Sequence, residues 1–251
     1  MESIIEIRGL GLAFGQDGRT TEVLRGLDLT VARGEFVAIV GPSGVGKSTL
    51  LRVLIGLAKA SSGTVRLATR GDAPVPAALV FQDARMLPWR RVLSNVAFGL
   101  EHGGITAAER KRRAHEALDF VGLGNLAGRW PHQLSGGQRQ RVALARALAV
   151  GSDILLMDEP FGALDAITRE NLQNELLRVW QATGRTILFV THDMDEAVYL
   201  ADRVVAIVGS PGEVRSSITV DVPRPRERGD PRLEAVVRRL RADLAAGSAA
   251  L

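Results

Sequence analysis

Nine consecutive residues, Gly41-Pro42-Ser43-Gly44-Val45-Gly46-Lys47-Ser48-Thr49, follow the spacing G-x-x-x-x-G-K-[ST]. Glycines at this spacing let the backbone turn tightly enough for successive N–H groups to converge on one phosphate. The N-terminus of the helix that follows adds its partial positive charge. Lys47 is expected on the β- and γ-phosphates of a nucleotide, and the Ser48 hydroxyl on Mg²⁺. Only three lysines stand against twenty-nine arginines in the chain, and one of the three is here. A compact ammonium fits this loop where a planar guanidinium would not.

A second group suits the same chemistry. The apolar run Ile154-Leu155-Leu156-Met157 ends in two carboxylates, Asp158 and Glu159. Parallel strands collect their C-termini at one sheet edge, so Asp158 is expected beside Ser48, holding Mg²⁺ directly or through water. Glu159 is then a general base for a water aimed at the γ-phosphate. The plainer alternative is a strand that merely ends in acids before Pro160.

These groups need an α/β frame to hold them. Glu35 to Val40, bounded by Gly34 and Gly41, reads as a buried strand, and Leu50 to Leu57 as a helix packed on a sheet. Residues 4–14 and 22–31 alternate as antiparallel strands, followed by strands at 63–67 and 77–81, the last ending at Gln82. Residues 70–76 read as a turn. From 83 to 133 the texture is helical: a Pro-broken loop at 86–91, a helix from Ser94 to Leu100, and a capping box at Thr106-x-x-Glu109 opening a helix to about Val121. Ser135-x-x-Gln138 then opens another helix. A strand (153–157), a helix (166–183, closed by Gly184), a strand (186–190), a short helix capped by Asp193 and a strand (204–208) follow in alternation. This pattern implies crossovers and a mostly parallel sheet. Asp230-Pro231 starts a last amphipathic helix, expected to fray after Ala245.

Composition narrows the class. With 251 residues, 46% apolar and 24% charged, the chain suits one large α/β domain with an inserted lobe, or two small domains. No window has the roughly 18–20 apolar residues of a membrane helix, and the start lacks the pattern of a secretion signal. The absence of cysteine excludes disulfides and thiolate metal sites. A net charge of +4 with pI about 10.2 could serve nucleic acid or an anionic membrane surface, but the arginines are scattered among acids and read as solvated faces.

Leu134-Ser135-Gly136-Gly137-Gln138 resembles the signature motif of ABC-type ATPases. Physically it is also a capping box and a second glycine-rich phosphate site. The resemblance implies a P-loop NTPase (RecA-like) core with an antiparallel β subdomain and an inserted α-helical subdomain. It also implies a head-to-tail homodimer closing on two ATP molecules, the signature of one copy covering the nucleotide of the other. The other motifs fall in the family's order. Gln82 resembles the glutamine on Mg²⁺ and the attacking water, Gly162-Ala163-Leu164-Asp165 the loop joining the two sites, and His192 the switch histidine on the γ-phosphate. Phe14 lies where an aromatic stacks on adenine, although it could equally fill the core. By resemblance the whole chain is one ABC ATPase domain. Residues 1–82 and 134–210 form the nucleotide-binding part, 83–133 the helical subdomain, and 211–251 a C-terminal extension with one helix.

Within the family, the segment Leu87 to Glu101 resembles the docking segment of the nitrate, sulfonate and taurine importers. Asp165-Ala166-Ile167-Thr168-Arg169 and Val222-Pro223-Arg224-Pro225-Arg226 resemble the same group. The implied partners are integral membrane permease subunits and, indirectly, a periplasmic or surface substrate-binding protein, with no nucleic acid. The implied place is the cytoplasmic face of the inner membrane. Trp89, beside Pro88 and two arginines, suits a groove for a short permease helix or else a core position. A soluble ABC ATPase acting on nucleic acid or ribosomes, or an exporter subunit, are the competing readings.

Overall fold

The computed structural model describes residues 2–16, 19–68, 75–101 and 104–248. The turn expected at 70–76 lies mostly outside them. The chain divides into two compact units, one of residues 1–68 with 186–251, the other of residues 69–185.

The first unit holds two sheets. β1 (Ser3–Gln16) pairs antiparallel with both β2 (Arg19–Ala32) and β4 (Ser62–Leu67), as the alternation requires. In the other, β3 (Phe36–Val40) lies parallel between β7 (Thr186–Thr191) and β8 (Arg203–Val208). Every side chain of β3 and β7 is buried, which explains unbroken apolar runs in place of alternation. Phe36 and Phe189 meet edge to face at 5.6 Å in this core.

An antiparallel strand, β9 (Glu213–Thr219), pairs with β8; no strand is expected there from the sequence. It is an edge strand whose only buried side chain is Ile218, so its sequence (Glu-Val-Arg-Ser-Ser-Ile-Thr) carries little apolar signal. α1 (Lys47–Leu54) stops three residues short of Leu57, at a turn through Gly56 (φ 74°) that leaves Leu57 exposed. α6 (Met194–Leu200) is capped by Asp193, and α7 (Pro231–Ser248) runs past Ala245, where fraying was expected.

The C-terminal stretch of this unit is held by arginines. Arg226 is buried and donates to the carbonyls of Val198, Tyr199, Ala201, Val220 and Val222, closing the C-terminal end of α6. Burial pushes its guanidinium down to about 10, a shift increased by neighbouring Arg224 and opposed by Asp202. Arg224 bonds Asp202 and Leu200 O.

The second unit holds the parallel pair β5 (Ala77–Val80) and β6 (Ile154–Asp158) with α2 (Val92–Ala97), α3 (Ala107–Phe120), α4 (Gly136–Val150) and α5 (Ala166–Thr183). α2 starts two residues before Ser94 and passes into a 3-10 turn at Phe98–Leu100. The capping box expected at α3 forms only by half. Thr106 accepts from Glu109 N, while the Glu109 carboxylate turns to Arg112 and Arg113, which hold it down at about 2.

Candidate nucleotide site

In the first unit, β3 delivers the chain to Gly41, and the loop 41–46 ends where α1 begins at Lys47. Gly46 has φ 104°, and a side chain there would meet Leu24 Cδ2 at 2.7 Å, so the position demands glycine. No side chain caps α1 and no acid stands in its first turn. Such an end suits a polyanion. Lys47 is buried, its Nζ donating to Gly41 O and Pro42 O, both at 2.8 Å. The ammonium thus lies folded along the loop that Gly41 to Thr49 build, with Ser48 next on the helix.

Two further predicted residues belong to this unit. Val40 is in register with Thr191, so His192 leaves β7 at the same sheet edge as Gly41, and it is exposed there. Thr191 Oγ1 accepts from Asp193 N at 3.0 Å, fixing the turn that carries it. Phe14 is 48% exposed, which removes the core alternative. It lies on β1 two residues beyond Leu12, whose partner Leu24 packs against Gly46.

The second unit carries the remaining groups. Val80 is in register with Met157, so the chains bearing Gln82 and Asp158-Glu159 leave the sheet at one edge. Glu159 has φ 44°, a left-handed backbone that a non-glycine residue adopts only at a cost. A methyl group at Gly162 would lie 3.2 Å from Gln82 Nε2 and 3.6 Å from Glu159 Oε2, so those two side chains end around one spot.

Ser135 caps α4 in a reciprocal capping box. Its Oγ accepts from Gln138 N at 3.2 Å, and Gln138 Oε1 accepts from Ser135 N at 2.9 Å, leaving the Ser135 O–H available as a donor. Gly136 and Gly137 form the first turn, and a side chain at Gly137 would strike Thr168 Cγ2 at 2.4 Å. Asp165 caps α5 by accepting from Thr168 N at 3.0 Å, a bond that holds its carboxyl below the usual range.

Sequence reading misses three positions here. Gln140 is buried on α4 in the stripe Gly137, Gln140, Leu144, Leu148, and a polar residue in such a stripe is the signal that could have found it. Arg146, on the same helix, donates to Ala84 O and Arg85 O, and burial lowers its pKa. Asn95 is fully buried: its Oδ1 accepts from Leu87 N at 2.7 Å, and its Nδ2 reaches Leu87 O, Arg90 O and Arg91 O. That clamp shapes the loop 87–91 and leaves Trp89 70% exposed, so Trp89 is not a core tryptophan.

Among the described residues no group of three His, Cys, Asp or Glu side chains could hold a metal alone. The donors expected from the sequence, the Ser48 hydroxyl in one unit and the Asp158 carboxylate and Gln82 amide in the other, are of kinds that suit Mg²⁺ shared with substrate phosphates better than an all-protein cage.

The ABC transporter family matches residues 24–162. The chain is 51% identical over 234 residues to the aliphatic sulfonates import ATP-binding protein SsuB of Pseudomonas putida, covering 91% of this chain and 81% of that protein. It is 49% identical to the protein of the same name from a Mycobacterium species, covering 96% and 94%. Among solved structures it is similar to a dimeric, post-hydrolysis ATP-binding cassette, MJ0796, bound to ADP and Pi. That match has a TM-score of 0.73 and 32% identity, covering 87% of this chain and all of that one. The cradle at Gly41–Thr49, the carboxylates ending β6 and the glycine-rich start of α4 therefore stand in a chain that belongs to the ATP-binding, ATP-hydrolysing subunits of the ABC transporter family.

Proposed function

We propose that this chain is the ATP-hydrolysing subunit of an importer of aliphatic sulfonates, bound as a peripheral homodimer to permease subunits at the cytoplasmic face of the inner membrane. The observation that carries the reading is near-50% identity, along almost the whole chain, to aliphatic sulfonates import ATP-binding proteins from different bacteria. Nitrate and taurine belong to related members of the group. Among the described residues no helix is long and apolar enough to cross a membrane; the path for substrate is assigned to the permease subunits. A periplasmic or surface binding protein would select the substrate.

Each residue then has a task. The loop N–H groups and Lys47 bind the phosphates of ATP, and Phe14 stacks on the adenine. Ser48, Asp158 and Gln82 hold Mg²⁺, which would neutralise charge building on the phosphates. Glu159 orients a water and accepts its proton, and His192 contacts the γ-phosphate. Ser135 to Gln138 of one copy cover the nucleotide of the other, with Asp165 in the loop between sites. ATP binding closes the dimer and hydrolysis releases it, a two-state switch biased by γ-phosphate contacts. Trp89, presented by Asn95 beside the arginines at 90 and 91, and exposed Ile167 serve as permease anchors.

The test is affinity purification of the chain from its native membrane, with mass spectrometry of what accompanies it. A multi-span permease is expected, and its yield should fall at least about tenfold with Trp89→Ala. Ribosomal proteins, or salt-sensitive nucleic acid with no permease, would support the soluble-machine reading instead.

A further inference from the structure

Gln140 is 5% exposed, and its Nε2 donates to Pro160 O at 2.8 Å, Gln82 O at 2.9 Å and Phe81 O at 3.3 Å. One side-chain amide thus ties together the backbone of Gln82 and the carbonyl of Pro160, the residue after Glu159. A flipped amide would set Oε1 against three carbonyl oxygens, so the orientation is fixed by its partners. Oε1 itself has no hydrogen-bond partner among the described residues. The amide's polar work here is donation to these carbonyls, and burying it for packing alone would serve worse than an apolar side chain of the same size.

The left-handed backbone of Glu159 needs surroundings that hold it. Gly162 N donates to Glu159 O at 3.2 Å from one side, and Gln140 grips the next carbonyl from the other. On the same helix Arg146 holds Ala84 O and Arg85 O at 2.8 and 3.1 Å, so α4 supports the whole stretch 81–85. We propose that Gln140 is a positioning residue for hydrolysis, its amide fixing the two backbone segments that aim Gln82 and Glu159 at the attacking water. This rests on the catalytic reading of Gln82 and Glu159.

Gln140→Met and Gln140→Leu both largely fill the space and lack the N–H donors. The expected result for each is a kcat lowered about 10- to 100-fold, with KM for ATP little changed, as for a misaimed rather than an unbound reaction. Combined with Gln82→Ala, the loss should be less than the product of the single losses. A normal kcat overturns the inference, as does full additivity, or a kcat that falls only in step with the thermal midpoint and ATP affinity. Should Gln140→Met fail to fold, Gln140→Leu decides by the same criteria. Glu159→Gln separates the two levels. If that variant hydrolyses normally, the catalytic reading is what fails; if it is stalled while Gln140→Met turns over normally, only this inference fails.

Discussion

At the scale of single residues, a nucleotide-hydrolysing site imposes its types most strictly where charge must be met. In the proposed site, Lys47, folded onto its own loop carbonyls, and Glu159, held at a positive φ, would be the two ends of that demand. If Glu159 is the base, Glu159→Gln keeps the shape and loses the proton acceptor. Hydrolysis should then fall about 100- to 10,000-fold while ATP still binds, leaving a stable ATP-bound dimer visible by light scattering. Rapid phosphate release from that variant would remove the base assignment. These residues were legible in the sequence because the chemistry restricts which side chain can stand there. Gln140 was not, since a glutamine inside an apolar stripe announces burial without saying which carbonyls it meets.

At the scale of elements, strands and helices with strong apolar patterns were readable almost to their ends, and the exceptions are physical. β9 escaped notice because an edge strand with one buried side chain needs no apolar run. The capping box at Thr106 failed by half because two arginines one turn further on compete for the Glu109 carboxylate. α7 outlasts its expected fraying point because the alanines after Leu244 still favour helix. The loop 87–91 looks irregular in sequence, and its order comes from one buried side chain across eight residues. Asn95→Leu should therefore orphan the Leu87 N–H and cost about 1–3 kcal/mol, read as a lower midpoint in guanidinium unfolding. An unchanged midpoint would mean the loop holds its shape without the clamp.

At the scale of the whole molecule, the order of the motifs along the chain carried the family before any geometry, and the antiparallel sheet and the parallel strands around β3 agree with it. The transported substrate lay beyond such reasoning, because no residue of this subunit is asked to touch it; the importers it resembles supply that part of the account. The measurement that bears most directly on the central claim is uptake of a labelled aliphatic sulfonate by cells lacking this chain, complemented with wild type or Glu159→Gln. Wild type should restore uptake, and Glu159→Gln, made to the same level, should leave it near background. Equal uptake with both, or none lost on deletion, would contradict the claim.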